Sequence, residues 1–239
     1  MAVASIPTRT AATDTAMDIS RLRLWQLISP ALPVGAYAYS AGMEQACDAG
    51  LIRNEADALA WVRGQLCCTQ AQLDAPLLLR LHAAWDAGDV ERVAYWNAFL
   101  QASRETRELL DEDRHLGTAL AKLLWDLGIG AAEAWFRRGD ASFATSFALA
   151  AVHWRIGAEE ALAGYLWAWC ENQVAAAIKL VPLGQTAGQR LLLALADAVP
   201  EAVAMARAID DEDDIGAACP GVTLCSMRHE TQYSRLFRS

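Results

Sequence analysis

The chain has 239 residues, of which 20 are Lys or Arg and 29 are Asp or Glu, so its formal net charge is −9 at pH 7. Since 54% of the residues are hydrophobic and 21% are charged, the composition excludes a disordered chain and supplies enough apolar surface for one large core. The acidic balance argues against a nucleic-acid-binding protein, because phosphate contacts need clustered Lys and Arg.

Helix-forming residues dominate the chain. Ala fills 49 positions, whereas Gly fills 15 and Pro fills 7, and Ala has the highest intrinsic helix propensity. In chain order, apolar spacing, N-cap residues and Gly or Pro breakers predict helices over residues 21–28, 41–49, 55–66, 75–87, 89–101, 103–127, 141–156, 158–180, 186–198 and 201–209. The sequence therefore predicts an all-α, single-domain bundle of about ten helices.

The two ends of the chain differ in composition from the helical part, residues 20–209. Residues 1–19 carry no helical pattern and are predicted to be a flexible N-terminal arm. Residues 210–222 begin with five consecutive acids and continue with Gly, Ala and Pro, which indicates a linker. Residues 223–239 hold three Arg against one Glu, together with Tyr, Leu and Phe, and we expect them to be a C-terminal partner-binding tail.

Three sequence features bear on localisation. Residues 24–43 are uncharged, but Pro30, Pro33 and Gly35 interrupt them, so we expect no membrane span. Residues 1–17 lack the apolar stretch of a signal peptide. The six Cys form no C-x-x-C pair and three of them lie in apolar helical stretches, which indicates reduced thiols in a cytoplasmic protein.

The sequence has no G-x-x-x-x-G-K-[ST] loop, no G-x-G-x-x-G and no H-E-x-x-H motif, so we assign no catalytic residue, no cofactor and no metal ligand. Two weaker patterns stay open as alternatives. Asp210, Asp211 and Asp214 have the D-D-x-x-D spacing with which a helical prenyl-transferring enzyme holds Mg²⁺ and a diphosphate. Cys219, Cys225 and His229 are a candidate soft-metal set, although a structural zinc site usually has four ligands at closer spacing.

Two polar segments are candidates for docking. Residues 104–114 mix both charge signs at steps of three and four, and we interpret them as an exposed face with weak ion pairs rather than as a polar docking face. Residues 179–190 form a Pro and Gly corner that either joins two antiparallel helices or also presents Gln185 to a partner. For this corner the residue pattern alone does not decide between the two readings.

Three internal stretches and the end of the chain resemble one known family. The stretches are SPALPVGAYAYS at residues 29–40, SRETREL at residues 103–109 and KLVPLGQ at residues 179–185, which Gly188, Gln189 and Arg190 follow. The chain then ends in HETQYSRLFRS at residues 229–239. In these motifs the chain is similar to the UreF family of urease accessory proteins. The resemblance runs from about residue 22 to residue 239.

This resemblance implies an all-α, homodimeric, non-catalytic cytoplasmic protein. Members of the family act as adapters that bridge a second accessory protein, UreD (also called UreH), and the GTPase UreG on apo-urease, and they regulate GTP-dependent nickel insertion. A chain without its own nucleotide loop or metal cage fits that role.

The resemblance also gives the candidate residues a partner. We expect an interface with UreD or UreH from aromatic, apolar and Arg side chains, the types enriched at binding hot spots: Tyr37, Tyr39, Tyr233, Arg235, Leu236 and Phe237. Core packing is an equal alternative for Tyr39. We further expect the tail to become ordered on that partner. For the interface with UreG, the candidates are Glu105, Arg107, Lys179 and Gln185.

Overall fold

The computed structural model describes residues 18–239, and α-helices build the fold across that range, in which no strand occurs. The predicted all-α class is confirmed, while residues 1–17 of the predicted arm lie outside the described part. The α-helices are α1 (Ile19–Leu27), α2 (Met43–Asp48), α3 (Glu55–Gln65), α4 (Ala75–Asp86), α5 (Val90–Ala102), α6 (Arg107–Asp126), α7 (Glu133–Arg138), α8 (Phe143–His153), α9 (Ala158–Leu180), α10 (Gln185–Arg207) and α11 (Pro220–His229).

Side-chain caps set the starts of these helices. Asn54 and Asp89 cap α3 and α5, as the sequence predicts, while α6 begins after Thr106 and α8 after Ser142, each a few residues later than predicted. In all four cases the side chain accepts a hydrogen bond from the backbone N–H three residues on, at 2.9–3.2 Å. This bond satisfies a donor that the first helical turn leaves free. Each of these helices therefore begins directly after its capping residue, and not directly after an earlier helix breaker.

Two predicted helix breaks are absent from the structure. A π-helical stretch, Leu66–Asp74, joins α3 to α4 without a turn. Pro200 lies inside α10, where the sequence predicts two helices. Proline removes one backbone donor, and the carbonyl group that loses it belongs to Ala196. Both residues are exposed, so water can take the place of the missing donor and the helix continues.

The structure also contains two helices that the sequence analysis missed, α7 and α11. Each is short, and propensity over six to ten residues is a weak signal. The second begins with Pro220 at its first position, where the missing proline N–H has no cost. It therefore starts inside the stretch that was predicted to be a linker.

Residues 24–43 form the end of α1, several turns and a 3₁₀ turn at Ala36–Ala38, as the prolines in this stretch predict. Across residues 18–239, no helix combines the length and the apolar character that crossing a bilayer requires.

The core is centred on α8, which packs against both α4 and α6. Its residues from Ala144 to Ala151 are all buried, so this helix is buried on every side. At the crossing with α6, Gly117 allows the two backbones to approach closely. A Cβ atom added there would lie 2.1 Å from the carbonyl oxygen of Ala141 and 2.3 Å from the carbonyl carbon of Ser142.

Replacing Gly117 by Ala is therefore expected to destabilise the fold. The clash is with backbone rather than with a flexible side chain, and we expect Gly117→Ala to lower the free energy of unfolding by about 3 kcal/mol. The measurement is urea unfolding followed by circular dichroism. Gly64→Ala is the matched control: its Cβ would meet no atom within 4 Å, and Ala favours the helix there by about 0.5–1 kcal/mol. Equal stability of the two variants would contradict this account of the α6–α8 crossing.

Candidate partner-binding face

Two segments that are far apart in the sequence lie side by side on the bundle: the tyrosine loop (residues 35–40) and the closing segment (residues 230–239). The N–H of Arg238 donates to the carbonyl of Ala38 at 2.8 Å, and the N–H of Ser40 donates to the carbonyl of Ser239 at 3.0 Å. The Ser40 hydroxyl donates to the same carbonyl oxygen. The fold thus joins the two stretches that hold the first set of predicted partner-binding residues.

The carboxylate of Glu44, in the first turn of α2, holds the closing segment by its backbone. Its Oε1 accepts a hydrogen bond from the N–H of Leu236 at 2.7 Å, and its Oε2 accepts one from the N–H of Phe237 at 2.8 Å. Glu44 is buried, so these charge-assisted bonds form away from water. Two adjacent backbone donors on one carboxylate fix the direction in which the neighbouring side chains point.

His229, the last residue of α11, joins this anchor to α6. Its fully buried ring places Nε2 at 3.2 Å from Glu44 Oε2 and Nδ1 at 2.8 Å from Glu108 Oε2. Arg235 of the closing segment donates to the other Glu108 oxygen at 3.1 Å. Burial raises the pKa of Glu108, and the His229 ring opposes that shift. One imidazole therefore links α2, α6 and α11 beneath the closing segment.

The first set of predicted residues divides into exposed and buried members. Tyr37 is 72% exposed, Leu236 is 65% exposed, Tyr233 is fully exposed and Arg235 is also exposed. Tyr39 is buried, and its hydroxyl lies 2.9 Å from Nδ1 of His115. Four of the six are thus free to touch a partner, whereas Tyr39 packs in the core, the alternative that the sequence left open.

Phe237, the other buried member, packs beneath a basic side chain. The ammonium group of Lys179, near the end of α9, lies 5.3 Å from the centre of the Phe237 ring. This distance is typical of a cation–π contact. Lys179 was predicted for the second partner set, and the structure places it against the closing segment instead of leaving it free.

The other members of the second set are exposed at two places. Glu105 precedes α6 and accepts a hydrogen bond from the Thr223 hydroxyl on α11. Arg107 lies one turn before Asp111, with its Nε at 3.5 Å from a carboxylate oxygen of that residue. Gln185 is exposed at the start of α10. Glu105 and Arg107 therefore share one edge of the molecule with α11.

A second buried ionic group was missed by the sequence analysis, which favoured an exposed face for residues 104–114. The Arg104 guanidinium donates to both oxygens of Asp74, at 2.6 and 3.0 Å, and its Nε lies 3.4 Å from Asp113. Tyr165 donates to Asp74 at 3.3 Å. Burial raises the pKa of Asp113, and the Arg104 charge opposes that shift. Part of this charged stretch therefore lies inside the protein.

A cavity of about 110 Å³, lined by polar and apolar side chains, adjoins this ionic group. The π-helical stretch supplies much of its wall, because π geometry turns Gln70 and Asp74 inward. Among the described residues, buried side-chain atoms without a hydrogen-bond partner include Gln65 Nε2 and Gln70 Oε1, and both side chains line the cavity. No pattern in the sequence indicates a π-helix, so this chamber had no sequence signal.

The acidic run of the prenyl-transferase alternative lies in an exposed 3₁₀ turn, Glu212–Asp214, after α10 has ended. It does not lie on one face of a long helix. In the soft-metal alternative, both ring nitrogens of His229 already face carboxylates, and burial raises the pKa of the Cys219 and Cys225 thiols. Within residues 18–239 no three His, Cys, Asp or Glu side chains are arranged to hold a metal ion.

Comparison of the sequence with known proteins points to one family. A sequence model of the UreF family matches residues 52–196. The urease accessory protein UreF of Alkalilimnicola ehrlichii is 57% identical over 228 residues, which cover 95% of this chain and 99% of that protein. UreF of Hahella chejuensis is 51% identical, with 92% and 99% covered, and UreF of Teredinibacter turnerae is 47% identical, with 93% and 100% covered.

Fold and surface define the class as an all-α protein in which buried ionic contacts hold a segment with exposed aromatic and apolar side chains. Family match and long, high-identity alignments then settle the membership. The chain belongs to the UreF family.

Removing the buried guanidinium is expected to cost far more stability than removing an exposed one on the same charged stretch. Arg104→Ala leaves Asp74 and Asp113 as uncompensated buried charges, and we expect it to lower the free energy of unfolding by about 3–5 kcal/mol. Arg107→Ala, the control, removes an exposed ion pair and is expected to change it by less than about 0.5 kcal/mol. Urea unfolding of both variants is the measurement. Similar losses in the two would show that Arg104 holds no buried network.

Proposed function

We propose that this protein is a non-catalytic adapter that bridges UreD (UreH) and the GTPase UreG on apo-urease and regulates GTP-dependent nickel insertion. The observation that carries the proposal is the exposure of Tyr37, Tyr233 and Leu236 on two segments that hydrogen bonds hold together. Membership of the UreF family supports it, since relatives are named urease accessory proteins. In this role nickel is cargo.

The sequence analysis expected the tail to become ordered only on its partner, but in the isolated chain the tail already forms α11 and hydrogen bonds already hold the backbone of the closing segment. This fixed backbone suits the closing segment to the UreD interface. The Glu44 bonds to Leu236 and Phe237 hold the main chain, so a partner that binds Tyr233 and Leu236 orders little more than side chains. Pre-organisation of this kind lowers the entropy lost on binding. Arg235 adds a planar donor group that can pair with a carboxylate of the partner in addition to Glu108.

Homodimer formation and a cytoplasmic location complete the proposal. The described cysteines are all free, and burial raises the pKa of Cys47 to about 11 and that of Cys170 to about 12, which keeps both thiols protonated.

Exposed apolar residues on α1, namely Ile19, Leu22 and Trp25, are available to a second copy. Sedimentation of the purified chain tests the dimer directly.

The double variant Tyr233→Ala/Leu236→Ala is expected to weaken binding to UreD by about 100-fold or more, because each lost anchor removes hot-spot contact area. The variant removes no buried contact, so the fold is expected to persist. Titration calorimetry or a quantitative pull-down with UreD measures the effect. Tyr95→Ala is the matched control, since Tyr95 is 44% exposed on α5, an element that carries none of the proposed contacts. Wild-type affinity in the double variant would remove the closing segment from the interface.

We place UreG at the edge formed by Glu105 and Arg107, and we keep Gln185, exposed at the start of α10, and Lys179, which packs on Phe237, as the other candidates. Reversal of an interface charge sets like charges against each other at a cost of several kcal/mol. Arg107→Glu is therefore expected to change the GTPase rate of UreG in the ternary assembly with UreD by about tenfold. Arg53→Glu reverses an equally exposed Arg that forms an i,i+4 pair, and it serves as the control. An unchanged rate with Arg107→Glu would contradict this placement.

A further inference from the structure

A surface cleft of about 310 Å³ lies beside the joint, the place where the tyrosine loop meets the closing segment. Three guanidinium groups line it: Arg235 and Arg238 belong to the closing segment, and Arg107 belongs to the first turn of α6. All three side chains are exposed. Positive groups from two distant parts of the sequence therefore converge on one cleft.

The acidic side chains of the cleft differ in how far they are engaged. Both carboxylate oxygens of Glu108 have partners, and one of these partners is Arg235. Asp111 lies 3.5 Å from Arg107. Glu230 is exposed, and across residues 18–239 it forms no ion pair. Two of the three guanidinium groups thus already face an acid of the same chain.

Arg238 is the guanidinium group that has no acid of its own, since it forms no ion pair with any of the residues from 18 to 239. Its backbone is fixed, because its N–H donates to the carbonyl of Ala38 at 2.8 Å. Burial raises the pKa of Tyr39, and the nearby Arg238 guanidinium opposes that shift. A guanidinium group carries five N–H donors, so Arg238 keeps donors for an incoming acceptor.

The neighbours of Arg238 indicate what would cover it. Leu236, two residues earlier, is 65% exposed, and Tyr233 is fully exposed. A protein that packs on these two side chains also removes water from the guanidinium groups next to them. Burying a charge without a partner is costly. The protein that covers this face therefore has to bring a carboxylate for Arg238.

We propose that the cleft binds an Asp or Glu side chain of the protein that docks on the closing segment, with Arg238 as the main donor and Arg235 beside it. Arg suits this role because its parallel N–H groups match the two oxygens of a carboxylate. Glu230 is the competing acid of the chain itself. The inference rests on the proposed function, which makes the docking protein UreD, and it adds an acidic side chain to what that partner must present.

The isolated chain tests the cleft without a partner. The probe is the peptide hexaglutamate, and the measurement is the NMR shift of the Arg Nε–H resonances. We expect the resonances of Arg235 and Arg238 to move with hexaglutamate and to stay unchanged with hexaglutamine. The net charge of the chain is −9, so its overall field repels an acidic probe and binding reports the local cleft.

Two results of this titration would overturn the proposal. One is the absence of any shift with hexaglutamate. The other is a larger shift with inorganic phosphate than with hexaglutamate at equal concentration, which would make the cleft a site for small anions and not for a protein carboxylate.

Affinity for UreD tests the same pairing in the complex, at low ionic strength where charge pairs are least screened. Arg238→Gln is expected to weaken binding about tenfold, because it leaves the partner's carboxylate unpaired. Glu230→Gln removes the competing acid and is expected to tighten binding about threefold. Arg155→Gln is the matched control, since Arg155 is exposed after α8 and forms no ion pair within the described part of the chain. Its affinity is expected to equal that of the wild type.

The opposite signs of the two changes separate recognition from a general loss of structure. Wild-type affinity in Arg238→Gln overturns the proposal, and so does a Glu230→Gln variant that binds no more tightly than the wild type. If hexaglutamate shifts the cleft resonances but UreD does not bind the wild type, the adapter role is contradicted and the cleft stands. If UreD binds the wild type and Arg238→Gln equally, the adapter role stands and the cleft is contradicted.

Discussion

The buried carboxylate of Glu44 is the constraint on which the proposed partner-binding face depends. A short segment without secondary structure leaves its backbone donors unsatisfied unless another group accepts their hydrogen bonds. Glu44 accepts two of them, and its carboxylate is also within hydrogen-bond distance of the His229 ring. With that anchor in place Phe237 is buried, while the side chains of Tyr233 and Leu236 are exposed.

Acidic side chains of helix α6 bind several other elements of the molecule. Glu108 binds His229 and Arg235, Glu112 binds Ser239, and Asp113 binds Arg104. Spacing of four and five residues puts these acids on neighbouring positions around one helix, yet each engages a different element. Burying such acids costs free energy unless well-placed partners compensate for the lost hydration. Because these partners lie on α2, α11, the π-helical stretch and the closing segment, the packing of all four depends on α6.

The helices were predictable from the sequence where caps and periodicity agree, as at Asn54 and Asp89, and less so where a tertiary contact decides. Pro200 indicates a break, but exposure of the facing carbonyl lets α10 continue. The candidate partner-binding residues came from family motifs, whereas Glu44, His229 and Arg104 gave no signal as anchors. Their roles depend on contacts across 30 to about 190 residues of sequence, and neither periodicity nor local spacing contains that information.

The distribution of charge explains why recognition can fall to apolar and aromatic groups. Two acidic side chains at the joint are engaged with other side chains or with the backbone: Glu44 with the closing segment, Glu108 with His229 and Arg235. The closing segment therefore offers the ring of Tyr233 and the side chain of Leu236 to the outside, beside the exposed guanidinium of Arg235. Rings and aliphatic groups gain affinity from buried area, while fixed backbone donors supply orientation. A change that frees Glu44 or Glu108 would therefore alter the face without touching a residue on it.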